Sequence, residues 1–169
     1  DKHGIGRNTL VIFSSDNGPI LFDGYYDRSV EDLNGHQPTA GLRGWKYLTF
    51  EGGCRVPFIA RWPQQIKPRV SNQLFSLVDC YATLAKIVGQ KIPAHTAPDS
   101  LDLSAVLLGK TTNTVRDNTV LHGINDALAL RQGDALLAVQ MYRSVVRRDF
   151  HLLALVLPRL ADATRQAGE

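Results

Sequence analysis

The run Thr9-Leu10-Val11-Ile12-Phe13-Ser14-Ser15 constrains this chain more than any other segment. Its apolar and β-branched residues are consecutive, not alternating. Side chains on a strand point to opposite faces in turn, so such a run is apolar on both. That pattern predicts a central, parallel strand in an α/β sheet. The run stops at Asp16-Asn17-Gly18-Pro19, a strong turn signal. Ligands of open α/β sheets gather at the carboxyl ends of the strands, and Asp16 and Asn17 fall at that end.

Downstream, residues 20–53 show little periodicity and many glycines, tyrosines and charges. A loop of this length inside a compact domain is usually functional. Arg55 to Trp62 predicts a short second strand, entered through Pro57 and ended by Pro63. Ser76-Leu77-Val78-Asp79 matches a capping box. Leu77, Tyr81, Leu84, Ala85 and Val88 recur at helical spacing before Gly89, which predicts a helix over 77–88 with a glycine C-cap. A connector spans 93–98, and a second short helix or turn spans 100–108, ending at Gly109. Thr119 to Gly123 and Ala127 to Arg131 read as two further short strands. From Ala135 onward the text becomes rich in Ala, Leu, Val and Arg and contains no Lys.

Composition excludes several classes. Apolar residues at 44% with charged residues at 21% describe a globular chain, and 169 residues suffice for a real core. A formal charge of +3, evenly spread, does not make a nucleic-acid surface. No apolar run approaches the roughly 20 residues that span a bilayer, so no membrane segment is expected. The opening Asp1-Lys2-His3-Gly4 has neither an initiator Met nor a leader pattern and reads as the middle of a longer chain. Cys54 and Cys80 fit neither a disulfide framework nor a zinc motif and read as small buried apolar residues.

Few residues offer chemistry. Asp16 and Asn17 place a carboxylate and an amide carbonyl side by side, both hard oxygen donors suited to Ca²⁺ or Mg²⁺. Asp-Asn-Gly is equally a common turn. Lys46 lies in a glycine-rich loop that could approach the same strand end. Its ammonium suits a tetrahedral anion such as sulfate or phosphate, although most lysines are solvated surface groups. Arg43 is similar and reads as structural. Glu51-Gly52-Gly53 reads as backbone geometry, with glycine permitting a tight bend. His36 and His122 stand isolated. Tyr25, Tyr26, Trp45 and Tyr47 could stack on sugar rings or simply pack. No G-x-S-x-G elbow, P-loop or dinucleotide fingerprint is present, and Cys54-Arg55-Val56-Pro57 is no activated-cysteine motif.

Taken in order, these segments resemble one family. Asn8 to Pro19 resembles the sulfatase segment "DNTLVIFTSDNGG". Gly41-Leu42-Arg43-Gly44-Trp45-Lys46 through Glu51-Gly52-Gly53-Cys54-Arg55-Val56-Pro57 resembles "LRGGKGTTWEGGVRVP". Arg61-Trp62-Pro63 with Ile66-Lys67-Pro68 resembles "RWPGRIKPG". Ser76 to Asp79 and the helix after it resemble "SLIDLLPTLLDLAG". Leu101-Asp102-Leu103 with Leu107-Leu108-Gly109-Lys110 resembles "DGVSLLPLLLGK". The match covers residues 8 to about 134 and identifies an arylsulfatase-type sulfatase of the alkaline-phosphatase-like superfamily.

The resemblance implies the fold and the roles. The fold would be the C-terminal part of an alkaline-phosphatase-like α/β sandwich with a central, mostly parallel sheet, followed by a small C-terminal subdomain. Residues 1–110 would belong to the catalytic domain, 111–134 would begin the small subdomain, and 135–169 would form an atypical tail. Asp16 and Asn17 match the pair that binds Ca²⁺ together with two acidic residues far upstream. Lys46 matches the lysine that contacts the substrate's sulfate. The nucleophile of such enzymes is a formylglycine hydrate made from a C/S-x-P-x-R motif, and that motif is absent here. The chain alone is therefore expected to be inactive, with an incomplete Ca²⁺ site, no catalytic residue of its own and a large exposed apolar patch.

The expected substrate is an aryl or carbohydrate sulfate ester, with no nucleic-acid or membrane partner, and the family resemblance implies a periplasmic or secreted whole protein. Two rivals are a phosphatase or phosphodiesterase of the same superfamily and a non-catalytic binding or vestigial fragment. After Leu130-Arg131-Gln132-Gly133-Asp134 the family pattern stops, where a Trp or Tyr and Lys in a strand would follow. A frameshift near Asp134 or a divergent C-terminal helix, with Leu152, Leu153, Leu155, Val156 and Leu160 on one face, would each account for that.

Overall fold

The structure is a computed structural model that describes residues 2–133 and 135–140. The apolar run forms β1 (Val11–Ser14), flanked by a 3₁₀ turn at Gly6–Asn8. It pairs with β2 (Phe58–Arg61) in a two-stranded sheet, with Phe13 opposite Ile59 and Val11 opposite Arg61. The pairing is antiparallel, whereas the sequence predicts parallel neighbours. The difference has a simple origin: consecutive apolar residues report that both faces of a strand want burial, and say nothing about the direction of the adjacent strand. Val11, Phe13 and Ile59 share one face and are all exposed, Phe13 at 61% and Ile59 at 59%. The expected exposed apolar patch is therefore present.

The small core lies further along. The helix expected over 77–88 is α2 (Asp79–Ile87), with a single turn α3 (Ser104–Leu107) packed against it. Ala82, Leu103, Val106 and Leu107 are buried there. Asp79, fully buried, organises the junction. Its carboxylate accepts hydrogen bonds from Ser76 N at 2.9 Å and Leu101 N at 2.9 Å. It also accepts a two-pronged contact from Arg116, at 2.7 Å from Nε and 2.6 Å from Nη2. The Ser76 contact is the reach-back half of the expected capping box. Thr83 completes the seam, accepting from Leu103 N at 3.0 Å. At the other end, Gly89 has φ +72° and Gln90 N donates to Ala85 O at 2.8 Å, the glycine cap that the sequence predicts.

A second sheet follows in the order β3 (Asn118–His122), β4 (Ala127–Gln132), β5 (Ala135–Gln140), all antiparallel. Asn125 and Asp126, both with positive φ, turn the chain between β3 and β4, and both residue types tolerate that conformation. The start of the unusual tail thus continues as a strand along β4. Arg147, Arg148 and the expected helical face at Leu152–Leu160 lie outside the described residues. Among the described residues, no helix is long and apolar enough to cross a membrane.

Candidate functional site

The turn after β1 and the loop carrying Lys46 are stitched together through their backbones. Gly18 N donates to Gly53 O at 2.8 Å, and Lys46 N donates to Pro19 O at 2.9 Å. Three glycines permit the approach. A Cβ on Gly18 would lie 1.9 Å from Gly52 O, one on Gly52 2.3 Å from Gly44 O, and one on Gly53 2.3 Å from Leu48 O. Glu51-Gly52-Gly53 therefore does serve backbone geometry, as one helical turn α1 (Glu51–Cys54) pressed between two loops. Arg43 is structural as well: its guanidinium lies over the Phe50 ring at 4.0 Å, and its carbonyl accepts from Gly52 N at 2.7 Å.

The stitching brings Asp16, Asn17 and Lys46 to the edge of one open cleft, which Glu51, His122 and Arg131 also line. Asp16 is exposed, and among the described residues only Ser15 Oγ reaches its Oδ1, at a long 3.5 Å. Asn17 Nδ2 donates to Gly18 O at 3.0 Å, which leaves Oδ1 as the open end of the amide. Both residues line the cleft and offer hard oxygens, the donor type that Ca²⁺ takes. Ca²⁺ takes about six to eight such oxygens, and among the described residues no group of three or more His, Cys, Asp or Glu could hold a metal by itself. The pair fits as part of a site. Lys46 is half-buried, its Nζ lies 5.4 Å from the centre of the Tyr47 ring, and no carboxylate among the described residues pairs with it.

Two further features, the Glu51 ion pairs and the Tyr47 backbone, were not legible from the sequence. Glu51 is shared between Arg131, on β4, and Arg55, the latter at 3.3 Å. Tyr47 has φ +79°, a conformation that costs a residue with a Cβ about 1–3 kcal/mol. Its carbonyl accepts a hydrogen bond from Ile124 N at 2.7 Å. His122 is exposed at the rim. Cys54 and Cys80 are partly buried free thiols. Burial first, and then the neighbouring Glu51 or Asp79 charge, push both pKa values up, so neither is an activated nucleophile.

A family model described as Sulfatase matches residues 1–90. An N-acetylgalactosamine-6-O-sulfatase of Bacteroides thetaiotaomicron is 46% identical over 133 residues, covering 79% of this chain and 26% of that protein. Arylsulfatase A of Bos taurus is 41% identical over 107 residues, covering 63% of this chain and 19% of that protein. A solved sulfatase structure, described in connection with the metabolism of multiple glycosaminoglycans by Bacteroides thetaiotaomicron, superposes with a TM-score of 0.73 at 42% identity. It covers 80% of this chain and 28% of its own. The chain thus spans about a quarter or less of the length of these curated relatives.

Proposed function

The chain belongs to the sulfatase family, and from that premise we propose that it is the part of a sulfate ester hydrolase that holds the substrate's sulfate through Lys46. Asp16 and Asn17 would supply two of the oxygens of a Ca²⁺ site. The observation that carries the proposal is the pair of backbone hydrogen bonds, Gly18 to Gly53 and Lys46 to Pro19, which fixes the oxygen pair and the lysine on one cleft. Bound there, Ca²⁺ would supply positive charge against the sulfate oxygens.

This chain's own residues bind and orient. As the bond between sulfur and the alcohol oxygen breaks, charge shifts toward the departing oxygen. A fixed ammonium near the sulfate then gains interaction energy without having to reorganise. Lys46 suits the role because its charge is compact and unpaired with any carboxylate among the described residues. The nucleophile, a formylglycine hydrate by family resemblance, has no C/S-x-P-x-R segment in this sequence from which to arise. The 169-residue chain alone is therefore expected not to turn over.

The better substrate is a carbohydrate sulfate, since the carbohydrate-named relative is both more identical and matched over more of the chain than the arylsulfatase. The test compares hydrolysis of 6-O-sulfated N-acetylgalactosamine and of an aryl sulfate by the full-length gene product carrying this segment, with and without a calcium chelator. Lys46→Ala should lower kcat/KM by about 10²–10³-fold, as loss of one charge-stabilising donor does elsewhere. Chelation should abolish turnover. An unimpaired Lys46→Ala enzyme, or indifference to chelation, would refute the assignment of Lys46 or of Ca²⁺ respectively. Calcium-dependent turnover by the 169-residue chain alone would refute the external nucleophile.

A further inference from the structure

The sheet of β3, β4 and β5 follows the Lys46 loop by many residues in sequence, yet it grips that loop at three points. Ile124 N–H donates to the Tyr47 carbonyl at 2.7 Å. Gly123 packs so closely that a Cβ there would lie 2.8 Å from that same oxygen and 3.0 Å from Thr49 Cγ2. Arg131 forms an ion pair with Glu51, at the end of the loop, with side chains only 20% and 24% exposed.

Tyr47 shows what the grip accomplishes. A left-handed conformation at a residue with a Cβ persists only where the surroundings over-determine it. Here the surroundings are identifiable. The Lys46 amide is held by Pro19 O on the β1 side, and the Tyr47 carbonyl is held by Ile124 on the sheet side. The two residues are thus stretched between two anchors, with the lysine side chain leaving from the middle. If the second anchor is released, Tyr47 can relax toward negative φ, and the backbone that aims Lys46 rotates with it.

We propose that the C-terminal sheet is a positioning element for Lys46, acting through the Gly123–Ile124 turn and the Arg131–Glu51 pair. The inference rests on the assignment of Lys46 as the sulfate-binding residue. Neither Arg131 nor Gly123 needs to touch substrate. An ammonium is a single point charge with no second prong to correct a misplacement, and a displacement of about 1 Å can cost on the order of 10²-fold in rate.

The experiment is a set of double-mutant cycles in the full-length gene product, reading kcat and KM separately on a sulfate ester. Arg131→Gln removes the charge, Arg131→Lys keeps it, and Gly123→Ala pushes on the Tyr47 carbonyl from a position whose φ is ordinary. Arg131→Gln and Gly123→Ala should each lower kcat/KM about tenfold or more, and Arg131→Lys should recover most of the loss. In a Lys46→Ala background each should cost less than about twofold, because the lysine they aim is gone. Full additivity with Lys46→Ala would overturn the inference while leaving the sulfate-binding role intact, because the sheet would then affect turnover independently of the lysine. The inference is also overturned if Gly123→Ala, with an unchanged melting temperature, keeps full kcat/KM. If Lys46→Ala is itself silent, the sulfate-binding assignment falls and this inference falls with it.

Discussion

Gly18→Ala is the sharpest test of the packing that builds the cleft. The added methyl carbon would stand 1.9 Å from Gly52 O, 2.8 Å from Gly52 C and 2.8 Å from Gly53 Cα. All three are backbone atoms of α1, so no side chain can swing aside. Ordinary contact begins at 3.4 Å, so the turn and α1 must part by roughly 1.5 Å. The 2.8 Å hydrogen bond from Gly18 N to Gly53 O cannot survive that displacement. Overpacking costs about 1–3 kcal/mol, and the lost bond adds about 1 kcal/mol. A total near 2–4 kcal/mol corresponds to a fall in melting temperature of roughly 4–16 °C for a domain of this size.

The control is Gly24→Ala. Gly24 has φ +93° with nothing within 4 Å of its would-be Cβ, so alanine there meets backbone strain alone. It should cost about 1 kcal/mol and leave turnover unchanged. Gly18→Ala should instead raise the calcium concentration needed for half-maximal activity of the full-length gene product, because the proposed Ca²⁺ ligands Asp16 and Asn17 move with the turn. Scanning calorimetry and a calcium titration of activity give both numbers. A Gly18→Ala protein within about 0.5 kcal/mol of the parent, with an unshifted calcium dependence, would refute the claim that turn and α1 are in backbone contact.

Two other outcomes are expected. Arg116→Met strands the fully buried Asp79 carboxylate with only its backbone donors and should cost about 3–5 kcal/mol in urea unfolding. The hydrogen bond to Asp79 raises the Arg116 pKa above its ordinary value. A raised cation pKa stabilises fully below the unfolded value and is lost only as pH climbs through the folded one, so this share should not vary across the neutral range. A cost under about 1 kcal/mol would contradict the role of the pair. Separately, the 169-residue chain should self-associate through the exposed face of Val11, Phe13 and Ile59, and the double variant Phe13→Lys, Ile59→Lys should reduce that association in sedimentation velocity. A parent chain that stays monomeric at roughly 100 µM would count against that patch being sticky.

Local structure was readable because its causes are local. β1 announces itself through consecutive β-branched and apolar residues, and α2 through helical spacing ended by Gly89. Even so, α2 starts two residues later than its apolar pattern, because Asp79 turns its carboxylate inward to Ser76, Leu101 and Arg116. The pattern 100–108 shortens to the single turn α3, since Ser100 and Leu101 are engaged by Ala82 and Asp79 across the chain. Strand direction was not readable, because both-face apolarity carries no sign for the neighbour. Nor were the ion pairs. Arg116 and Asp79 lie 37 residues apart, and Arg131 and Glu51 lie 80 apart. No spacing rule links charges over such separations.

The glycines explain how far the site itself was legible. Some have positive φ and open space about them, as at Gly24 and Gly89, and their reason is a local bend. Gly18, Gly52, Gly53 and Gly123 differ: none has a left-handed φ, and each would drive a Cβ into a backbone carbonyl. Those carbonyls belong to Gly52, Gly44, Leu48 and Tyr47, all in the loop that carries Lys46 or the turn that ends it. These four are glycine because another stretch of chain passes too close for anything larger. In the sequence both kinds are the same letter. Sequence could therefore nominate Asp16, Asn17 and Lys46 singly, on chemistry and resemblance. Their meeting on one cleft depends on close approaches between segments that only coordinates reveal. The same contacts make the assembly testable, since one methyl group at Gly18 or Gly123 separates the oxygen pair from the lysine loop, or the loop from the sheet, without removing any of the side chains proposed to act.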